Sequence, residues 1–566
     1  MTATTSRDGA VVQTREAMAA ETFTGVLLRR AEDDHPGLLF EDRAWSWREV
    51  IAECVARAHV LCGLRRDDAP LHVGVLLENV PEYLFLIGGA AFAGATLVGL
   101  NSTRRGDELA GDARRADCDL ILTDRAGLRL LEGVDTGVAA DRVLRVDDAQ
   151  WSARVGAHRG AARPAVPAAD DPASLLLLLF TSGSTGAPKA VRCTSGRLAM
   201  LAAANTCGFT PDDVTYNAMP LFHGNAIMAC WAPSVYAGAT HAMRRRFSAS
   251  GFVPDIRRVG ATFVNYVGRS LAYILSVPES AEERNTALRT VFGTEAAARD
   301  RDEFARRFGV RPIESYGSSE GAIVIHLTED APPTSLGLAP AFIDARVWDA
   351  NGAECPPARF AADGRLLNPE EAIGEIVNAT GAALFEGYYG DDEAGAQRIE
   401  GAAYRSGDLG YRDEHGYFYF AGRSGDRLRV DGENFSAAPI ERILARFPGV
   451  LLVAVFPVPD PRTGDQVMAV VQMQDGTRFD PGAFGEFLTA QPDLGTKWAP
   501  RFVRVVDAIP VTGTRKIDKP ALRRAGWQEG RVLLREARQP GYAPLTEGAR
   551  RALLAEFDRY GRSPTA

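Results

Sequence analysis

Nine consecutive residues, Thr181-Ser182-Gly183-Ser184-Thr185-Gly186-Ala187-Pro188-Lys189, carry four hydroxyls, two glycines and one lysine, with almost nothing apolar to bury. Glycines let a backbone turn its N–H groups toward an anion, hydroxyls add donors, and a terminal ammonium adds charge. The segment is therefore suited to a polyphosphate. It is not the P-loop of the NTPases, which needs Gly directly before Lys-Ser/Thr; here Pro188 precedes Lys189 and Ala190 follows. On composition alone, a polar surface turn is the competing reading.

Lysine itself is informative in this chain. Only Lys189, Lys497, Lys516 and Lys519 are lysines, and the other sixty basic residues are arginine, a bias of the kind found in GC-rich bacteria. Where arginine serves for ordinary surface charge, the surviving lysines point to positions that need a compact ammonium on a flexible stem.

These residues need a scaffold. At 566 residues the chain is too long for one ordinary core, and its 46% hydrophobic and 24% charged composition is that of a folded globular protein. Apolar runs at 71–77, 97–100, 120–123 and 143–146 alternate with helical stretches, which predicts an α/β fold with a parallel sheet. The segment 156–172 is rich in Ala, Pro and Gly and reads as an exposed connection leading into the apolar strand 175–180, which delivers the Thr181–Lys189 segment. The run 84–100 is broken by glycines and Thr96 and falls short of the about 20 residues that span a bilayer, so it reads as a buried helix followed by a buried strand.

A Gly-punctuated charged stretch at 421–432 separates a large N-terminal part from a smaller one with its own helix (438–446) and strands (451–458, 466–472). The expected organisation is a tail at 1–22, a large domain of stacked α/β subdomains at 23–425, and a small mobile α+β domain at 426–566. A net charge of -9 removes the electrostatic basis for broad nucleic-acid binding. The first twenty residues contain no apolar signal core, so a cytoplasmic location is expected. Seven cysteines without CxxC or Cys/His ligand spacing indicate neither a disulfide framework nor a zinc site.

Read whole, TSGSTGAPKAV resembles the phosphate-binding signature of the adenylate-forming acyl-CoA synthetase superfamily. PLFHGNA (220–226), FGTEAA (292–297), YGSSEG (316–321), YRSGDLG (404–410), GRSGDRLRVDGEN (422–434) and TGTRKIDK (512–519) follow in that family's order. The stretch 262–275, with DGENFSAAPIE, is similar to the branch of long- and very-long-chain fatty acyl-CoA synthetases related to fatty acid transport proteins.

The resemblance implies a two-step ligase using ATP, Mg2+ and CoA: a carboxylate attacks the α-phosphate to give an acyl-adenylate and pyrophosphate, and a thiol then displaces AMP. It implies nucleotide-binding roles for Thr181, Ser182, Gly183, Ser184, Thr185, Gly186 and Lys189, for Gly293, Thr294 and Glu295, and for Tyr316, Gly317, Ser318 and Ser319. Tyr316 would face adenine and Ser319 a phosphate. Glu320 would hold Mg2+. Asp408 would accept both ribose hydroxyls, as a two-oxygen acceptor can, with Arg423 reinforcing the ribose or phosphate side. Lys516 would bridge the carboxylate and α-phosphate as charge builds on both. Asp426 would be the hinge between half-reactions.

For the acid, the resemblance implies a pocket from Phe222, His223, Asn225, Asn265, Tyr266, Arg269 and Gly317. His223 alone would more often be a core histidine, and its motif is what makes it a site residue. Arg269 departs from the branch's usual Glu or Lys, and Ala190 from its usual Gly. If Arg269 faces the pocket, a substrate with a second polar or anionic group is expected; if it faces solvent or an ion pair, it says nothing of the substrate. Two activities fit the motifs: CoA ligation of a fatty or aryl acid, and an ATP-dependent diazotase in which nitrite and an aromatic amine replace acid and thiol.

Overall fold

The computed structural model describes residues 21–66, 70–181, 188–267, 270–294, 296, 298–328, 330–332, 334–361, 366–423, 427–430, 433–462, 464–491, 494–495, 497–512, 516–535, 541–560 and 562–564. The chain divides into two compact units, Met1–Val324 with Gly381–Ala402, and Ile325–Thr380 with Ala403–Ala566.

The first unit holds two sheets. One runs in the order Val143–Arg145, Leu120–Thr123, His72–Leu76, Thr96–Gly99, Leu175–Thr181, Lys189–Thr194. Its pairs are parallel except the last, where Lys189–Thr194 returns antiparallel along Leu175–Thr181 and sets Lys189 opposite Thr181. Both faces of such a sheet are covered, so its strands read as unbroken apolar runs rather than alternating ones.

The second sheet contains, in order, Ile313–Gly317, Thr290–Thr294, Phe263–Val267, Val214–Asn217, Thr240–Met243 and Pro36–Phe40, all paired in parallel, with Arg43–Ser46 closing it as a hairpin. Helices Trp47–Leu64 and Pro81–Ala93 pack closely because the second carries glycines at the contact. A Cβ on Gly88 would lie 2.4 Å from the Cys54 sulfur, and one on Gly89 2.8 Å from the Arg57 Cβ. The apolar run at 84–100 is thus a buried helix followed by the strand Thr96–Gly99. Among the described residues no helix is long and apolar enough to cross a membrane.

In the second unit, Ala345–Trp348, Gly374–Asn378, Ala403–Arg412 and Phe418–Arg423 form an antiparallel sheet. A separate five-stranded sheet, Val450–Pro459, Asp465–Met473, Phe502–Val506, Val532–Leu534 and Ala543–Pro544, packs its apolar face with helix Ala437–Leu444 around Leu428, Ile440, Val455 and Phe484. The chain is α/β, with a large N-terminal and a smaller C-terminal part.

Candidate active site

Four neighbouring strands of the second sheet run parallel, so the residues that follow each strand emerge along one edge. In open parallel sheets this carboxyl edge is where ligands bind. Val214–Asn217 leads to Phe222, His223 and Asn225; Phe263–Val267 carries Asn265 and Tyr266; Thr290–Thr294 carries Gly293 and Thr294; Ile313–Gly317 carries Tyr316 and leads to Ser318, Ser319 and Glu320. The topology therefore brings these motifs together although they span about a hundred positions. Ser182–Ala187, Gly268, Arg269, Glu295 and Asp426 lie outside the described residues.

The Phe222 ring lies 4.8 Å from the His223 imidazole. His223 opens a short helix, Gly224–Ala226, that widens into a π-helix over Ile227–Trp231 before resuming as Ala232–Ala237. Widened turns of this kind occur often at functional sites because they re-aim side chains. Gly224 is held tightly: a Cβ there would come within 3.2 Å of the Ser319 hydroxyl and 3.3 Å of the Met228 sulfur. The buried Asn265 donates from Nδ2 to the Asn225 Oδ1 at 2.8 Å, and its own Oδ1 has no partner among the described residues. Tyr266 is 1% exposed, packs in the core of this half, and donates its hydroxyl to Glu314. Burial, then the Glu314 carboxylate, pushes that phenol well up.

Gly293 is needed for the neighbouring strands to approach, since a Cβ would lie 2.4 Å from the Tyr266 carbonyl oxygen. Gly317 is exposed and meets only the Ile323 carbonyl, at 3.4 Å from a would-be Cβ. The Ser318–Gly321 turn closes with Gly321 N–H donating to the Ser318 carbonyl at 2.9 Å, and Gly321 takes φ 64°. Arg197, buried, donates to the Ser319 carbonyl at 2.7 Å and to the Arg192 carbonyl at 2.9 Å, tying this turn to the strand that bears Lys189. Glu320 is buried and accepts the Tyr388 hydroxyl at 2.9 Å, while the Lys189 ammonium sits 5.0 Å from the centre of the Tyr388 ring. Sequence reasoning missed both Arg197 and Tyr388. The only available signal for Tyr388 was its place in the short aromatic run GYYG at 387–390.

Glu320 suits Mg2+, which binds through one or two carboxylates completed by substrate phosphates rather than by an all-protein cage. Burial raises the thiols of Cys54, Cys193 and Cys207 to about 12, which keeps these three protonated.

In the second unit, Asp408 sits on strand Ala403–Arg412 opposite Arg423, whose side chain is outside the description. The strand bulges just before it. Gly407 takes φ 76°, and the Glu375 carboxylate accepts its amide at 2.7 Å and the Arg405 Nε at 2.8 Å. The Ser406 hydroxyl donates to the Ile376 carbonyl at 2.6 Å and accepts the Asp408 amide at 3.0 Å. Lys516 is half-buried beside the bridge between Val511 and Ile517, with the Thr512 N–H donating to the Lys516 carbonyl at 2.7 Å. Lys519 makes an ion pair with Glu441 at 3.0 Å and begins the helix Lys519–Ala525, capped by Asp518.

Comparison with known proteins agrees with this organisation. The AMP-binding enzyme family model matches residues 28–389, and that of the AMP-binding enzyme C-terminal domain matches 439–516. Over 546 residues the chain is 51% identical to the steroid-22-oyl-CoA synthetase of Rhodococcus jostii RHA1, covering 96% of this chain and 98% of that protein. It is 43% identical over 507 residues to the medium/long-chain-fatty-acid–CoA ligase FadD17 of Mycobacterium tuberculosis, covering 89% and 96%. Among solved structures, the anthranilate CoA ligase AuaEII in complex with anthranoyl-AMP superimposes with a TM-score of 0.78 at 21% identity, covering 90% of this chain and 97% of that one. The ATP-bound MatB from Rhodopseudomonas palustris gives 0.77 at 23%, covering 88% and 98%.

Proposed function

The chain belongs to the AMP-binding enzyme family and is an adenylate-forming acyl-CoA synthetase using ATP, Mg2+ and CoA, and we propose that its acid is a steroid carrying a carboxylate at C22. The 51% identity to steroid-22-oyl-CoA synthetase, over nearly the whole of both chains, carries this reading. Arg269, if it lines the pocket, would ask for a second polar or anionic group on the substrate, since a buried unpaired guanidinium is costly. A straight alkyl chain offers it nothing beyond the reacting carboxylate. The two relatives matched by sequence are a CoA synthetase and a CoA ligase, and the diazotase alternative finds no support in them.

The roles follow from what each group can do. Phosphoryl and adenylyl transfer call for positioning and charge neutralisation rather than a protein nucleophile. The 181–189 segment and Ser319 donate to the triphosphate, Asp408 accepts from the ribose, and Tyr316 faces adenine. Glu320 would hold Mg2+, which supplies the neutralising charge on the phosphates. Lys516 stabilises the developing charge as the substrate carboxylate oxygen bonds to the α-phosphorus and pyrophosphate leaves. In the second half-reaction the thiol sulfur bonds to the acyl carbon and AMP departs with the bonding pair. Asp426 would serve as the hinge between the two, at the boundary between the domain at 23–425 and that at 426–566. His223 and Asn225 line the acid's path. The net charge of -9 gives no electrostatic basis for a nucleic-acid partner.

ATP–pyrophosphate exchange across a panel of steroid-22-oates, C8–C18 fatty acids and aryl acids tests the substrate class. The steroid acid should give a kcat/KM about 10-fold or more above any other, a difference of the size that shape and polar matching provide. Exchange that rises with aliphatic chain length and is absent with the steroid acid would return the enzyme to the fatty-acid class of FadD17.

A further inference from the structure

We infer that Tyr388 is a positioning residue for nucleotide activation, holding the Glu320 carboxylate on its hydroxyl and the Lys189 ammonium on its ring. The inference rests on the proposed assignment of Glu320 to Mg2+ and Lys189 to the triphosphate; nothing in the motif reading gives Tyr388 a role.

The phenol is held from several directions. Tyr388 is 2% exposed and packs on Val191 and Ala394, with the Phe385 ring edge-on at 5.2 Å. Its backbone pairs with the strand that bears Lys189: Tyr388 bridges Val191, the Tyr389 N–H donates to the Ala190 carbonyl at 2.8 Å, and the Arg192 N–H donates to the Gly387 carbonyl at 3.3 Å. The neighbouring Glu386 carboxylate accepts both the Thr194 amide at 2.8 Å and the Thr194 hydroxyl at 2.7 Å. The segment therefore moves with Lys189–Thr194, and the ring has little freedom to turn.

On that fixed ring two charges of opposite sign are arranged. The hydroxyl donates to Glu320 Oε1 at 2.9 Å, and the Lys189 Nζ stands 5.0 Å from the ring centre, within the range of a cation–π contact. A phenol on Oε1 directs the carboxylate's remaining coordination through Oε2. Groups that orient a ligating carboxylate in this way govern metal affinity without touching the metal. The same ring gives Lys189 a resting place other than Glu320, so a direct ion pair, which Mg2+ and the triphosphate would have to break, is disfavoured.

The test uses the full-length protein and Tyr388→Phe, Tyr388→Leu and Glu320→Gln variants, each checked for an unchanged urea midpoint. Mn2+ binding to the ATP-loaded protein is read by electron paramagnetic resonance, and ATP binding in excess EDTA by calorimetry. Tyr388→Phe should weaken Mn2+ about 10-fold while leaving metal-free ATP binding unchanged. Tyr388→Leu, which also removes the ring, should additionally weaken metal-free ATP about 3-fold. Equal losses in both measurements for Tyr388→Phe, the signature of a merely structural role, would overturn the inference. So would unchanged Mn2+ affinity in Tyr388→Phe alongside a clear loss in Glu320→Gln. Unchanged Mn2+ affinity in Glu320→Gln would instead remove the metal assignment on which the inference stands.

Discussion

The Glu375 carboxylate accepts the Gly407 amide at 2.7 Å, fixing the bulge one residue before Asp408. Its second oxygen accepts from the Arg405 guanidinium at 2.8 and 2.6 Å, so the carboxylate holds the strand on both sides of Ser406. Gly407 sits at φ 76°, a conformation other residues rarely adopt, and without Glu375 the amide it presents would lose its charged acceptor.

Glu375→Ala is expected to raise the KM for ATP about 10-fold, because a small misplacement of a ligand-positioning group costs up to about 10²-fold. The KM for the acid should stay within about 2-fold, since uniform binding to one substrate is what is lost. Steady-state kinetics with each substrate varied in turn checks this. A parallel rise in both constants would show that Glu375 supports the fold at large rather than Asp408.

How far the sequence alone could go is visible in which supports it revealed. Lys516, Asp408 and Glu320 stand in ordered motifs of recognisable types, and lysine is rare enough here for each one to draw notice. The apolar runs likewise announced the first parallel sheet, because strands buried on both faces have no polar alternation to obscure them; the second sheet went unread, since strands such as Val214–Asn217 and Thr240–Met243 carry buried polar residues. Glu375, Arg197 and Tyr388 carry no such mark. Arg197 meets Ser319 across 122 positions and is one of sixty arginines; Tyr388 meets Glu320 across 68. Their roles come from tertiary pairing, which local spacing does not encode. The π-helix Ile227–Trp231 is equally silent, since its residues would sit as well in an ordinary α-helix.

Lys516→Ala should lower adenylation about 10²–10³-fold, the loss typical of one preorganised charge-stabilising group. Thioester formation from a supplied acyl-adenylate should be largely retained. Arginine at this position should not rescue, because its planar fork does not act as a point charge between two oxygens. Comparable loss in both half-reactions would refute the bridging role.

Asp426→Pro is expected to spare pyrophosphate exchange and block thioester formation. Proline fixes φ near -65° and so removes backbone rotation at a hinge. Wild-type thioester turnover in the variant would mean that this position is not the hinge.

Stability should depend on the buried His241. Burial depresses its pKa to about 3, and its Nδ1 lies 3.0 Å from the Thr215 hydroxyl. The folded protein keeps the ring neutral while the unfolded chain protonates it below about pH 6.5. The contribution is therefore fully present above about pH 6.5 and is lost as pH falls, at about 1.4 kcal/mol per unit. Urea titrations at pH 7 and pH 5 should show a loss in the wild type about 2 kcal/mol larger than in His241→Gln. Identical losses would show that His241 is protonated in the native state.

The proposed reaction joins a steroid-22-carboxylate to CoA through an adenylate. One competition tests it: equimolar steroid-22-oate and palmitate with limiting ATP, Mg2+ and CoA, with products resolved by mass. Steroid-22-oyl-CoA and AMP should form in equal amounts, with palmitoyl-CoA at about a tenth or less, in line with the discrimination that pocket matching provides. Palmitoyl-CoA as the main product, or ATP consumed without any thioester, would contradict it.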